Sequence, residues 1–308
     1  LTTDGSGAVT FATAGGGGTA LELYAENPSS PTAPSATGTN AVAIGTQSQA
    51  SGTESVALGR FSQATNTRAF AAGPYNAIAS GSESIAIGYQ AAASANRSMA
   101  LGRATVAGSN YSVAIGHSSG GSGAQAGTGA GAMALGGSFA TGTDSFAAAI
   151  ANNTSTYGAT GANSVAMGDR VKATGNYSTS LGRLNNVSGP NGASAIGQSL
   201  TVSGEGAFSA GSTNFASGAY SQALGYGANT ASIYGKFAKA NGFFSNYADA
   251  QLGMFILRSD TTDATPEVVT TNKTAGSATN QVILPNNSAY AFSGTIVARQ
   301  QASQGTAS

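Results

Sequence analysis

The chain has 308 residues; 45 are glycine, only 8% are charged, and 12 basic residues balance 12 acidic ones. So neutral and charge-poor a surface has no electrostatic footprint for nucleic acid, while an apolar content of 41% is too high for a disordered chain. The absence of cysteine excludes thiolate metal sites, thiol nucleophiles and disulfides.

In chain order, residues 1–37 read as a connector with two short strand candidates, Ala8 to Phe11 and Leu21 to Tyr24. Gly15 to Gly18 separates them and Pro28, Pro31 and Pro34 follow. That glycine run is not a phosphate loop, because it lacks the Gly-Lys-Ser/Thr ending that cradles phosphates.

Residues 38–228 are a repeat. Its unit is Ser-Ø-Ala-Ø-Gly, with Ø apolar, as in Ser55-Val-Ala-Leu-Gly59, Ser84-Ile-Ala-Ile-Gly88, Ser112-Val-Ala-Ile-Gly116 and Ser164-Val-Ala-Met-Gly168. Thirteen copies follow one another, mostly 14 or 15 residues apart, with two longer spacings of 20 and 19 after Ser112 and Ser145. Fourteen residues are too few for a helix-containing repeat but suffice for two short strands and two tight turns. Large and small side chains alternate within each copy, as a two-faced strand requires. Glycine supplies positive φ or close approach at the turns. Stacked as parallel rungs about 4.8 Å apart, the copies give a body on the order of 60 Å long. A core of Ala, Ser and Gly is thin, so an obligate oligomer is expected. The two long spacings, His117 to Gly131 and Ala151 to Gly161, are expected to project as loops. The residues before each Ser read Glu54, Arg68, Glu83 and Arg97 on successive rungs, and in-register stacking predicts a ladder of ion pairs.

These copies resemble the head repeat of trimeric autotransporter adhesins (YadA-like). The resemblance implies an all-β fold, a left-handed parallel β-roll, or β-solenoid, with three chains packed around one axis as a homotrimer. It also implies attachment to a host or matrix surface. Neither the neck motif, the heptad stalk nor the barrel-forming strands of that family occur within the chain.

Residues 229–253 are aromatic-rich and read as a cap on the open edge of the stack. Residues 254–308 read as a small β module, incomplete at its end, with strand candidates at Met254 to Leu257, Gln281 to Leu284 and Ala289 to Arg299 and a turn at Pro285 to Ser288. The run from Asn280 to Gln300 resembles a segment of phage tail-fibre-like proteins. Leu1 at one end and the polar stretch Gln300 to Ser308 at the other lead us to expect a piece of something longer.

Catalytic chemistry has little to work with. The chain has one histidine, His117. Its acids are scattered, so the close carboxylate pair of a glycosidase is not evident, and no cluster has metal-ligand spacing. We therefore expect no enzyme, no cofactor and no metal. The candidate contacts are the residues after the rung glycine: Arg60, Tyr89, Arg103, His117, Asp169, Arg183 and Tyr226, in a column that includes Pro74 and is expected to face solvent. The sequence leaves three functions open. The first is a trimeric phage tail fibre on the virion, touching other tail proteins and a host receptor or polysaccharide. The second is the passenger head of a bacterial adhesin at the cell surface or outer membrane. The third is a polysaccharide-degrading fibre.

Overall fold

The computed structural model describes residues 2–3, 9–10, 32–117, 123–148, 157–261, 263, 265–284 and 289–298. Every regular element among them is a strand. The roll has two sheets. The motif sheet holds 15 strands, from Val42–Ile44 to Gln251–Met254, and the second sheet holds 13, from Ser35–Ala36 to Phe215–Ala216. From Ser35–Ala36 to Gln222–Tyr226 the chain alternates between them, so each rung there contributes one strand to each sheet. Within both sheets neighbouring rungs pair in parallel, as with Ile85↔Met99 and Ala92↔Val106. The register survives the 20-residue spacing, where Val113 pairs with Met133.

The motif explains itself position by position. The central Ala of each copy (Ala57, Ala86, Ala100, Ala114) is fully buried between the sheets, facing a second alanine column that includes Ala64, Ala93 and Ala107. Over these rungs the interior is filled by small side chains. The Ser is buried too, and its hydroxyl donates to the carbonyl three residues back: Ser55 to Gly52 at 2.7 Å, Ser84 to Gly81 at 2.7 Å, Ser164 to Gly161 at 2.6 Å. In these copies the Ser hydroxyl finds its partner in the turn carbonyl rather than remaining unpaired in the interior. The motif glycines turn the chain at φ between 95° and 140° at Gly45, Gly88, Gly168, Gly197 and Gly225, a region that only glycine occupies at little cost.

Toward the C-terminus the interior takes larger side chains. Val187, Leu200 and Val202 replace alanines, and Asn185 and Asn214 replace serines. Asn214 Nδ2 donates to the carbonyls of Ala210 (2.9 Å) and Gly225 (3.0 Å), and its Oδ1 accepts from Ala228 N (2.8 Å). The amide clamps three segments that a Ser could not reach.

The structure corrects the expected boundaries at several places. The roll runs one rung further than residue 228: Phe237–Asn241 pairs in parallel with Gln222–Tyr226. Lys236, Lys239 and Ala240 stand there in place of the Ser, the second Ø and the Gly, which hides the copy from a motif search. The edge is then closed by Gln251–Met254, which pairs antiparallel with Phe237–Asn241 and lies earlier than the expected Met254 to Leu257. Phe215, Tyr226, Phe243 and Tyr247 pack together beside this end at centroid distances of 4.8–5.4 Å. Asp249 holds the turn by accepting from the backbone N–H groups of Asn246, Ser245 and Phe244, which lowers its pKa.

Gln281 to Leu284 and the described part of Ala289 to Arg299 form no strand. Their apolar side chains have no edge to pair with in a single chain; Phe292 is 69% and Ile296 96% exposed. Arg258 and Thr270 make one antiparallel bridge in this module. The turn Pro285 to Ser288, Arg299 and the polar stretch after it lie outside the described residues. At the other end Thr2–Thr3 pairs antiparallel with Val9–Thr10. Ala8, Phe11, the Leu21 to Tyr24 candidate and the glycine run lie outside the described residues.

Lys236 sits in the column of buried serines and is only 6% exposed. Burial lowers its pKa. A base with a depressed folded pKa penalises the fold while charged, and the penalty fades as pH rises from the folded value to the unfolded one. Lys236→Met is therefore expected to raise the melting temperature at pH 7, with the gain shrinking as pH rises toward the unfolded lysine value of about 10.4; a scan of melting temperature against pH checks this.

Candidate functional site

Each rung turns at two corners. The second corner leads into the motif strand, and its last residue adopts left-handed φ on rung after rung: Asn40, Glu54, Arg68, Glu83, Arg97, Tyr111, Asp144, Asn163, Tyr177 and Tyr220, all between 49° and 61°. Here the expected ion-pair ladder is present. Arg68 lies 3.4 Å from Glu54 and 2.9 Å from Glu83, and Arg97 lies 2.7 Å from Glu83. Arg97 also donates to the Tyr111 hydroxyl at 2.9 Å, so the ladder spans five rungs.

Glu83 has its pKa lowered, first by the hydrogen bond from Arg97 and then by that guanidinium's charge. A depressed carboxylate contributes stability above its unfolded pKa and loses it as pH falls through the folded value. Glu83→Gln should therefore lower stability slightly at pH 7, with the difference vanishing at acid pH, where the native carboxylate is itself protonated. The groups are solvent-exposed, so the effect is small and shrinks with salt. Melting curves at pH 7 and pH 3, in low and high salt, measure it.

The first corner follows the motif glycine and carries the candidate contacts. Arg60, Tyr89, Arg103, Arg183 and Tyr226 are exposed; His117 and Asp169 are half-buried. They do not form one site. Asp169 is paired with Arg183 at 3.3 Å and Arg170 at 3.4 Å. Tyr226 belongs to the aromatic cap through Phe243. His117 bridges to Gly123, and its Nε2 is buried without a hydrogen-bond partner among the described residues.

Arg60, Tyr89 and Arg103 come together in a larger group, and they do so through a residue the sequence reading misplaced. Pro74 is not in their column. The backbone bonds Asn76 N to Arg60 O (3.0 Å) and Gln90 N to Tyr75 O (2.9 Å) place Tyr75 there. The 15-residue spacing puts its extra residue before Tyr75, and counting from the glycine selected Pro74 instead. Phe61, at left-handed φ of 59°, packs edge-on against Tyr75 at 5.3 Å. No signal in the sequence alone separates these two rings from other exposed aromatics.

Both long spacings interrupt this same corner. The offset from motif strand to second strand is 7 residues at Met99 to Val106 but 12 at Val113 to Gln125 and at Phe146 to Gly158. The loops fall largely on residues 118–122 and 149–156, outside the described residues.

Outside the roll's interior, the two sheets differ. The motif sheet turns outward an apolar pair from most rungs, such as Ile85 and Ile87, Val113 and Ile115, or Val165 and Met167. Ile87, Ile115, Met133, Met167 and Ile196 are 37–49% exposed in the single chain. The second sheet turns outward a mixed set that includes Gln49, Gln63, Lys172, Asn186 and Thr201.

Comparison with known families gives one result. The YadA head domain repeat (2 copies) matches residues 36–62, 50–76, 75–91, 79–105, 93–119 and 159–185. These rungs are therefore YadA head repeats, and the same register continues beyond the matched residues to Asn241. No curated protein matches the chain.

Proposed function

We propose that this roll of YadA head domain repeats is the head of a trimeric adhesin on a bacterial surface, with three copies of the chain packed through their motif sheets. The observation that carries the reading is the apolar outer face of the motif sheet. An alanine methyl contributes only about 0.8 kcal/mol on burial, so the small-residue interior stabilises one roll weakly. The Val, Ile, Leu, Met and Phe columns lie on the outside, where only another chain can bury them. Soluble monomers rarely leave a contiguous apolar stripe along the length of a sheet without a partner. Three rolls around an axis bury all three stripes at once, and closed symmetry is the usual outcome for identical chains.

The head works by attachment, not by catalysis. Its corners are rigid, because backbone bonds of 2.8–3.0 Å tie the first corners of Arg60, Tyr75, Tyr89 and Arg103 rung to rung, and three copies of any weak site act together through avidity. The matched repeat supports the cell surface over the virion tail. The tail-fibre resemblance near the C-terminus has no family match beside it. Antibody raised against residues 32–261 should label intact cells of the source bacterium. Labelling confined to phage particles overturns the cell-surface assignment.

A further inference from the structure

The two corners of the roll treat arginine differently. At the second corner Arg68 and Arg97 are both neutralised by Glu54 and Glu83. At the first corner Arg60 and Arg103 make no ion pair among the described residues, and each lies over aromatic rings: Arg60 over Phe61 (4.6 Å) and Tyr75 (5.7 Å), Arg103 over Tyr89 (5.5 Å). Glu54 and Glu83 are the only acids between Thr46 and His117, and both belong to the other corner. Tyr75 and Tyr89 stack between the arginines, with centroids 5.5 Å apart and planes inclined by 21°. The result is a line of four side chains, Arg-Tyr-Tyr-Arg, over four consecutive rungs.

Tyr89 is exposed and Tyr75 half-buried, so the line offers phenol hydroxyls and guanidinium N–H groups to a ligand. All of these are donors, and guanidinium held over a ring keeps its N–H fork free for a carboxylate or sulfate. Packing on the rings and the rung-to-rung backbone bonds fix the line before any ligand arrives, which lowers the ordering cost of binding. Arg60 and Arg103 are three rungs apart, roughly 14 Å at the parallel-strand spacing. A groove of about 400 Å³ opens beside Phe61, and Gln47, Gln49 and Gln63 help to line it with amide groups.

We infer that this line is a binding site for a linear acidic polysaccharide laid along the roll axis, its carboxylate or sulfate groups held by Arg60 and Arg103 and its hydroxyls by Tyr75 and Tyr89. Two cations separated by a neutral hydroxyl-bearing interval match a polymer whose anionic groups alternate with neutral sugars. The inference deepens the adhesin reading by naming the ligand class, and it rests on that reading for its biological setting. The site itself lies within one chain.

The test uses the full chain in calorimetry and surface binding against heparin, hyaluronan, neutral dextran and polyglutamate, with sedimentation run on the same samples. The expected result is binding to heparin, hyaluronan or both that weakens with salt, and none to dextran. Heparin alone identifies sulfate as the recognised group; hyaluronan alone identifies carboxylate. Arg60→Gln with Arg103→Gln should weaken binding at least tenfold, and Tyr75→Phe with Tyr89→Phe severalfold. Arg68→Gln with Arg97→Gln should leave it unchanged. Sedimentation and melting of each variant separate lost binding from lost folding, and Arg60→Lys with Arg103→Lys supplies a charge-preserving control. The site is overturned if a folded chain binds neither acidic polysaccharide, binds dextran equally, binds polyglutamate as tightly, or keeps its affinity without Arg60 and Arg103. A trimer that fails to bind overturns only the site; a folded monomer overturns the adhesin-head reading and leaves the binding result standing.

Discussion

Gly168→Ala is expected to destabilise the roll by on the order of 4 kcal/mol, from backbone strain and overpacking together. Gly168 sits at φ +127°, and a Cβ there falls 1.8 Å from the Gly182 carbonyl oxygen and 2.8 Å from its carbon. The obstacle is backbone of the next rung, so relief requires the rungs to separate. Each rung contacts mainly its neighbours, and the break should split the roll into two protease-sensitive halves. Limited proteolysis and thermal melting both read this out. Gly192 provides the contrast. It is also at positive φ, +64°, but nothing lies within 4 Å of the position of its Cβ. Its corner column carries Asn40 and Asn163 at similar φ elsewhere in the roll. Gly192→Asn should therefore be nearly neutral. Equal damage from the two substitutions would contradict the assignment of close rung packing to the motif glycine.

The second large effect is expected at the outer face of the motif sheet. Ile115→Asp should abolish association of the chains and with it the folded roll, although the substitution does not touch the alanine interior. Ile115 is 37% exposed in one chain and points away from the buried Ala114. In the assembly three carboxylates would be forced into an apolar seam, and an unpaired buried charge costs about 3–5 kcal/mol or more. Gln63→Asp, on the outward side of the second sheet, should leave the assembly intact. The mass of each variant by light scattering decides between them. A trimeric Ile115→Asp protein would mean that the chains meet elsewhere.

Most of the roll was legible because its physics is periodic. A side chain that must be small, a hydroxyl that must cap a turn and a glycine that must admit the next rung recur every 14 or 15 residues, and the ladder from Glu54 to Arg97 followed from register alone. The failures came where periodicity was broken. Lys236 to Ala240 forms a rung because the sheet edge offers hydrogen bonds, whatever the motif residues are. The misplacement of Pro74 arose because an inserted residue can sit on either side of a corner, and only the backbone bonds to Arg60 and Gln90 decide which. Residues 289–298 alternate like a strand but have no edge to join within one chain. Of the contact candidates, Arg60, Tyr89 and Arg103 were visible as a column. Phe61 and Tyr75, which join them, depended on the corner geometry.

The most direct test of the account is the mass of the native chain in solution. Sedimentation equilibrium at micromolar concentration should give three times the 29.8 kDa of one chain, with no monomer that retains β-sheet circular dichroism. A folded, monodisperse species with the mass of a single chain would show that the apolar face of the motif sheet needs no partner, and would contradict the account at its centre.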